Sequence, residues 1–333
     1  MSTLCTEEII ASSIVWDNHS CLPLRADNSF LPELDRFRRA GYSFASINVG
    51  FDLTTVQENL QILAHFRNWI RDHQDDFLLV GTAKDVVEAK RTGRLGIAFD
   101  IEGTVALANQ LSMVEAYYDL GVRWMLMAYN KNNSVGGGCL DDDAGLTRFG
   151  REVLDEMTRV GMVPCCSHTG WKTAAQVLEY ADGPVIFSHS NSYAVHTQPR
   201  NIPDYLIKAC AETGGVVGLD GLGRLIGMTV EGKYDASTEA LFRHLDHMVQ
   251  LVGPEHVGLA LDYVFDLDEL VALYRSRPDM FPSSLGYPRP APMVEPERLP
   301  ALVKIMIDHQ YPVDAIKQII GGNFLRIAKA TWK

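Results

Sequence analysis

The chain has 333 residues, of which 47% are hydrophobic and 22% are charged, and this composition is typical of a globular enzyme rather than of a disordered or disulfide-built protein. Its formal net charge of −12, without a cluster of lysines and arginines, argues against nucleic acid as a partner, because phosphate binding needs such clusters. Without a basic leader or a run of about 18 apolar residues, we expect a cytoplasmic protein that does not engage a membrane.

Eight short apolar runs, rich in β-branched residues, recur along the chain and alternate with amphipathic stretches. This alternation is typical of βα units that build a parallel sheet. The predicted strands are Ser13–His19, Phe44–Phe51, Leu95–Gly103, Val122–Tyr129, Val163–Thr169, Pro184–Ser190, Gly215–Gly221 and His256–Tyr263. Since eight such units close a barrel, we predict an α/β fold, a (β/α)8 TIM barrel, that spans residues 1–333 as one domain.

Helices are predicted in the intervals between these strands and at the C-terminus. They cover Thr54–His73, Gly150–Val160, Trp171–Tyr180, Ile202–Glu212, Thr238–Val252, Pro300–His309 and Val313–Ile320. The segment 275–300 is rich in proline, which disfavours helix interiors and central strands, so we expect a long loop after the eighth strand. Because loops after barrel strands surround the active site, two interpretations stay open: a rim or lid of the site, or a surface excursion.

Several predicted strands end in an acid or in a residue type that binds metals. These residues are Asp17, His19 and Cys21 on the first strand, Asp100 and Glu102 on the third, His168 on the fifth, His189 on the sixth and Asp262 on the eighth. The C-terminal ends of barrel strands all point to one face, so these side chains should converge. Each one alone could be a hydrogen-bonded structural group, but together they form an N/O/S donor set suited to Zn²⁺.

Glu102 is informative because it lies in the strongly apolar run FDIEG. A buried carboxylate without a partner is costly, so Glu102 should have cations nearby. Asp100 shares its strand face and could accept a hydrogen bond behind a metal ligand, or act as an ordinary acid of the barrel interior. We assign no role to Asp220 on the seventh strand. The six cysteines contain no CxxC pair, which indicates reduced thiols.

The sequence resembles the membrane (renal) dipeptidases and their bacterial relatives, which are amidohydrolase-like metal-dependent barrels. The resemblance covers nearly the whole chain and is carried by DNHSCLPL, GIAFDIEG, CCSHTG, PVIFSHSNSYAVHTQPRNIPD and HVGLALDY. It implies a zinc-dependent dipeptidase, with one or two Zn²⁺ ions per chain, that hydrolyses dipeptides or similar small N-acyl amino acids. The implied partner is therefore a small dipeptide-like substrate, and a homodimer is possible.

The resemblance also implies a role for each matching residue. The implied metal ligands are His19, Cys21, Glu102, His168 and His189; Asp262 is the implied catalytic acid that moves the proton; Arg200 is implied to hold the substrate carboxylate; and Tyr129 and Asn130 are implied to line the pocket. A planar guanidinium suits a carboxylate because it can form two parallel hydrogen bonds.

Two positions depart from the pattern of the family. Cys21 stands where the family has a metal-binding aspartate, and Tyr129 stands where the renal type has a histidine. A thiolate is a normal zinc ligand, so the site could hold two ions, or the ion beside Cys21 could be lost. Two alternatives therefore remain: a one-metal hydrolase or lyase of another small amide or amine, and a catalytically inactive binding homologue.

Overall fold

The computed structural model describes residues 5–333, which form parallel β-sheet surrounded by helices. The strands in this range are β1 Trp16–Cys21, β2 Phe44–Phe51, β3 Phe77–Leu79, β4 Leu95–Glu102, β5 Val122–Leu126, β6 Val163–Cys165, β7 Val217–Leu219, β8 Val257–Leu259 and β9 Tyr263–Val264. One sheet has the order β6-β5-β4-β2-β1-β9, with β3 also paired to β4, and β7 and β8 form a second sheet.

Short contacts join the two sheets into a closed barrel. Ile186 forms a parallel bridge with β6, and Phe187 forms a parallel bridge with β7, so these two residues take the place of a strand between them. On the other side, the Asp262 amide donates to the His19 carbonyl at 3.0 Å and joins the segment after β8 to β1. Eight parallel segments thus surround a common interior, and the predicted (β/α)8 barrel is confirmed.

Helices pack around the barrel and follow the predicted alternation. They are α1 Thr6–Ala11, α2 Asp35–Arg39, α3 Val56–Asp72, α4 Ala83–Thr92, α5 Ser112–Asp119, α6 Arg148–Val160, α7 Trp171–Tyr180, α8 Asp204–Glu212, α9 Gly223–Ile226, α10 Thr238–Val252, α11 Leu267–Ser276, α12 Leu299–Asp308, α13 Val313–Lys317 and α14 Asn323–Thr331. Local chemistry sets several of their starts, because Thr55, Thr147 and Ser237 accept a backbone N–H at the N-termini of α3, α6 and α10. Among residues 5–333, no helix combines the length and the apolar character that crossing a membrane requires.

The two longest strands, β2 and β4, show why apolar runs in the sequence predict strands. All eight residues of β2 and all eight of β4 are buried, since parallel strands are covered by helices on one face and by the barrel interior on the other. Strands of this kind read as continuous apolar runs rather than as alternating ones. The two predictions for these strands, Phe44–Phe51 and Leu95–Gly103, match the observed elements to within one residue.

Several predicted strands have other bounds in the structure, as for Val163–Thr169, of which β6 covers only Val163–Cys165, and two differences are larger. The predicted strand Pro184–Ser190 is reduced to the bridges at Ile186 and Phe187. The backbone amides of the next two residues bind side chains rather than a neighbouring strand. The amide of Ser188 donates to the Cys165 sulfur at 3.1 Å, and the amide of His189 donates to the Ser167 hydroxyl at 3.1 Å. The short strand β3 was not predicted; it pairs only with the first residues of β4 and lies off the main strand order.

A glycine in β7 tests how tightly the barrel is packed. A Cβ added to Gly218 would lie 2.2 Å from the Ser188 carbonyl oxygen and 2.8 Å from the Ala260 Cβ, whereas one added to Gly183 would meet no atom within 4 Å. We predict that Gly218→Ala lowers the free energy of unfolding by about 1–3 kcal/mol, because overpacking a core forces the backbone apart. Gly183→Ala, the matched control, should change it by less than about 1 kcal/mol. Urea unfolding of both variants measures these free energies. Equal values for the two variants would show that the barrel accommodates the added methyl group at Gly218 without loss of stability.

Candidate metal and substrate site

Three buried imidazoles at the C-terminal end of the barrel have their Nδ1 atoms within hydrogen-bond distance of an oxygen. The pairs are His19 with Asp100 at 3.1 Å, His168 with Asn130 at 2.7 Å and His189 with Ser188 at 2.8 Å. An imidazole that donates from Nδ1 keeps the lone pair on Nε2, which is the form that binds a metal. The three side chains therefore present their Nε2 atoms from three different barrel segments.

The carboxylate of Glu102 lies at the centre of these nitrogens. Its Oε1 is 3.6 Å from the Nε2 of His19, 3.4 Å from that of His168 and 3.3 Å from that of His189. The Nε2 atoms of His168 and His189 are only 3.0 Å apart. Two lone pairs at that distance repel each other unless a proton or a cation lies between or beside them, so the donor set has the chemistry of a cation site.

Burial also changes the pKa values of Glu102, His168 and His189. It raises the pKa of Glu102 to about 8 and lowers the pKa values of His168 and His189 well below the ordinary value. Both imidazoles are therefore neutral, whereas the neighbouring anionic groups raise the pKa of His19, and His19 and Arg200 offset only part of the cost of burying an ionised Glu102. These residues fit a divalent metal, which would stabilise the ionised Glu102 and use the imidazole lone pairs.

Cys21 and Asp262 extend the donor set on the far side of His19. The Cys21 sulfur is 3.4 Å from the His19 Nε2 and 3.5 Å from Asp262 Oδ1, and that oxygen is 3.5 Å from the His19 Nε2. Burial raises the pKa values of both Cys21 and Asp262. Potential ligand atoms within 4.8 Å of one another come from His19, Cys21 and Asp262, and again from His19, Glu102 and His189.

The backbone at this site adopts a conformation that side chains usually avoid. The φ angles of Asn130, His168 and Asp262 are +59°, +58° and +50°. Non-glycine residues are uncommon in this left-handed region, and each such residue costs of order 1 kcal/mol or more. Its use at three site positions indicates that the loops after β5, β6 and β8 are held in place to aim these side chains.

A cavity of about 600 Å³ opens above the donor set. Its wall includes Cys21, Glu102, Tyr129, His168, Arg200 and Asp262, together with Arg224, Tyr274 and Tyr287. Tyr287 comes from the proline-rich segment 275–300, which continues past the end of α11 as irregular chain with short 3-10 turns. The structure thus brings Cys21 of β1, Glu102 of β4 and His168, which follows β6, to one cavity.

Tyr129 and Asn130 have different places. Tyr129 lines the cavity and stacks on the His168 ring with centroids 4.1 Å apart. Asn130 is fully buried behind His168 and does not line the cavity. Asp52, which was not predicted from the sequence, holds this segment: it accepts hydrogen bonds from the Tyr129 amide and from the Asn133 side chain, each at 3.0 Å.

Arg200 offers a guanidinium with unused donors. It is 3% exposed, and its Nη1 and Nη2 atoms are buried without a hydrogen-bond partner. Asp220, to which the sequence assigned no role, has its Oδ2 3.9 Å from Arg200 Nη2, a distance too long for a hydrogen bond. The free Nη1 and Nη2 pair is the end of the guanidinium that can bind both oxygens of a carboxylate.

Comparison with known proteins identifies the family of this chain. The sequence model of the family described as membrane dipeptidase (peptidase family M19) matches residues 7–270. The chain belongs to this family.

It is 31% identical over 218 residues to an uncharacterised dipeptidase of Schizosaccharomyces pombe, an alignment that covers 63% of this chain and 51% of that protein. It is 26% identical over 260 residues to the dipeptidase tcpJ of Claviceps purpurea, which covers 77% of this chain and 56% of that one. The chain therefore spans about half the length of these curated relatives.

Solved structures share the fold along the whole chain. An amidohydrolase from Pseudomonas aeruginosa superposes with a TM-score of 0.86 at 26% identity and covers 99% of each chain. A metallopeptidase from Rhodobacter sphaeroides, crystallised with a phosphinate mimic of the dipeptide L-Ala-D-Ala, gives a TM-score of 0.78 at 20% identity and covers 96% of this chain and 100% of that one. At 20% identity, the similarity to the metallopeptidase shows only that the two chains share a fold.

The geometry predicts unequal effects of two carboxylate substitutions on metal content. Glu102 contacts three imidazole Nε2 atoms, whereas Asp262 contacts that of His19 alone. Glu102→Gln should therefore lower bound metal, measured as ions per chain by elemental analysis, far more than Asp262→Asn does. If Asp262→Asn loses its metal while Glu102→Gln keeps it, Glu102 is not the central ligand.

Proposed function

We propose that this protein is a zinc-dependent dipeptidase, which hydrolyses the amide bond of dipeptides or similar small N-acyl amino acids. The observation that carries the proposal is the convergence of Glu102 with the Nε2 atoms of His19, His168 and His189 beneath a cavity that contains a free guanidinium. Membership of the membrane dipeptidase family and the dipeptidase names of its relatives support the same activity.

The donor set favours zinc over the alkaline-earth ions. Imidazole nitrogen and thiolate sulfur suit Zn²⁺, whereas Mg²⁺ and Ca²⁺ prefer sites built from oxygen. We propose that His19, Cys21, Glu102, His168 and His189 would hold the metal, with Glu102 as the ligand that lies near all three imidazoles. The Nδ1 partners of the three imidazoles, Asp100 among them, orient the ligands and set their tautomers.

Asp262 and Tyr129 act in the reaction together with the metal site. A divalent metal held by these residues would polarise the scissile carbonyl and lower the pKa of the attacking water. Asp262 accepts a proton from that water and delivers it to the leaving amine nitrogen. Burial raises the pKa of its carboxyl group while the neighbouring His19 and Arg200 lower it, which suits a group that must both take and give a proton. The Tyr129 hydroxyl donates a hydrogen bond to the oxyanion that develops on the carbonyl.

Arg200 sets the size of the substrate. A buried guanidinium with a free Nη1 and Nη2 pair binds a C-terminal carboxylate in the cavity and places the preceding amide over the donor set. A substrate held at that carboxylate is short, as dipeptides are. The phosphinate dipeptide mimic bound to the Rhodobacter sphaeroides metallopeptidase is a ligand of this size.

Cys21 supports a second candidate, a one-metal hydrolase of another small amide. The sulfur is partly buried between His19 and Asp262, at the position of an aspartate in the family, and a thiolate is softer than a carboxylate. A single ion between Glu102, His168 and His189 would leave Cys21 as a neutral thiol. Glu102, Arg200 and Asp262 are all present in the cavity, which favours an active enzyme over a binding homologue.

Substitution of Arg200 tests carboxylate recognition. Arg200→Lys should raise KM at least tenfold for dipeptides with a free C-terminal carboxylate, because lysine cannot form the paired hydrogen bonds of a guanidinium. The corresponding dipeptide amides lack that carboxylate, so their KM should change far less. Steady-state kinetics on matched acids and amides give the contrast. An equal effect on both would remove Arg200 from carboxylate binding.

Substitution of Cys21 tests the number of metals. If Cys21 is a ligand, its pKa falls below the free value of about 8.5 in the metal-loaded protein, and bound zinc protects it from alkylation. Cys21→Ser should then lose metal and most of the dipeptidase activity, and Cys21→Asp, which keeps an anionic donor, should retain more of both. Metal content and turnover are measured on one dipeptide panel. Unchanged metal and unchanged rates in both variants would show that this position takes no part in the chemistry.

A further inference from the structure

A second buried arginine faces the cavity and has no role in the reaction described above. Arg224 belongs to the short helix α9, is 2% exposed and lines the same cavity as Arg200. Its guanidinium carbon lies 3.9 Å from the ring centroid of Tyr287 and 5.2 Å from that of Tyr274, and its Nη2 donates to the Tyr274 hydroxyl at 3.1 Å. The two tyrosines therefore hold the guanidinium in one position.

The charge of Arg224 is not matched by the protein. Its Nε and Nη1 atoms are buried without a hydrogen-bond partner, and among residues 5–333 no carboxylate forms an ion pair with it. Tyrosine rings stabilise a cation, but an unpaired buried charge with unused donors stays costly. A fixed cation of this kind in a cavity wall has the properties of a group that binds an anionic ligand.

The acidic residues at the rim of the cavity are occupied elsewhere. Glu269 and Asp266 both pair with Arg25, and the Glu58 carboxylate accepts the Thr55 amide at 2.7 Å at the start of α3. The rim therefore supplies no carboxylate that could move to Arg224 without giving up another partner.

Two guanidiniums with unused donors in one cavity exceed what a simple dipeptide requires. A C-terminal carboxylate accounts for Arg200, whose Nη1 and Nη2 are both free, and leaves Arg224 unpaired. Resting on the proposed function, we propose that Arg224 binds a second carboxylate, the acidic side chain of the C-terminal residue, so that the preferred substrates are dipeptides that end in aspartate or glutamate. Such a side chain adds one negative charge and meets the one guanidinium that remains.

Matched substrates separate this charge from size and shape. Asparagine and glutamine have nearly the same shape as aspartate and glutamate but carry no charge, so Ala-Asp is compared with Ala-Asn, and Ala-Glu with Ala-Gln, with the C-terminal residue in both configurations. The wild-type, metal-loaded protein should show a kcat/KM at least tenfold higher for the acidic member of a pair. Leaving a buried charge unpaired is the physical source of such discrimination.

Two arginine variants assign the preference to a residue. Arg224→Gln should reduce the acid-to-amide ratio of kcat/KM to about one. Arg277→Gln is the matched control, because Arg277 also lines the cavity but already binds both oxygens of Asp279, at 3.0 and 2.8 Å, and the ratio should keep its wild-type value. Arg200→Lys should lower kcat/KM for both members of a pair and leave the ratio in place, since both carry the C-terminal carboxylate.

Each outcome decides between the two proposals. A ratio near one in the wild-type protein would overturn the role of Arg224 and leave it as a support for the two tyrosines, while the dipeptidase proposal would stand. A tenfold preference that persists in Arg224→Gln would assign it to another residue. Hydrolysis of no dipeptide in either series would overturn the proposed function, and the substrate assignment with it. Because the ratio is first measured in the wild-type chain, poor folding of a variant does not remove the test.

Discussion

The burial of the Glu102 carboxylate beside two neutral imidazoles, those of His168 and His189, is the constraint on which the rest of this structure depends. Glu102 ends β4 inside an apolar barrel, and burial raises its pKa to about 8, an effect that the nearby His19 and Arg200 offset only in part. Lone pairs of His168 and His189 face each other beside it at 3.0 Å. This arrangement is unfavourable for the protein alone and becomes favourable with a bound cation, which couples the folding of this end of the barrel to metal binding.

The groups behind the ligands show how the barrel holds such an arrangement. Asp100 lies two residues before Glu102 on β4 and accepts hydrogen bonds from Ser46 at 2.6 Å and from Asn48 at 3.2 Å, both on β2. It also contacts the His19 Nδ1 at 3.1 Å, so the orientation of that ligand is set by three neighbouring strands at once. Both roles considered for Asp100 from the sequence fit its contacts, since it faces the His19 Nδ1 and also accepts hydrogen bonds within the barrel interior. Rigid elements rather than loops position this ligand, as precise binding requires.

The sequence predicted the parts of the molecule that carry a local signal. Continuous apolar runs marked β2 and β4, and the polar residues at strand ends marked His19, Glu102, His168 and His189, which the structure brings together. The sixth barrel segment was predicted too long, since the amide of His189 binds a side chain instead of a strand. Arg224, Tyr274 and Tyr287 carried no signal, because they come from a four-residue helix, the end of α11 and the proline-rich segment, and only the closed barrel places them at one cavity.

The most direct test of the central claim is metal removal followed by zinc titration of the wild-type protein. The account predicts that the metal-free protein hydrolyses no dipeptide, that it binds one or two Zn²⁺ per chain with release of protons, and that activity returns in proportion to the zinc bound. Calorimetry, elemental analysis and turnover of one dipeptide on the same samples give all three quantities. Hydrolysis at an undiminished rate without metal, or failure to bind zinc while the protein remains folded, would contradict it.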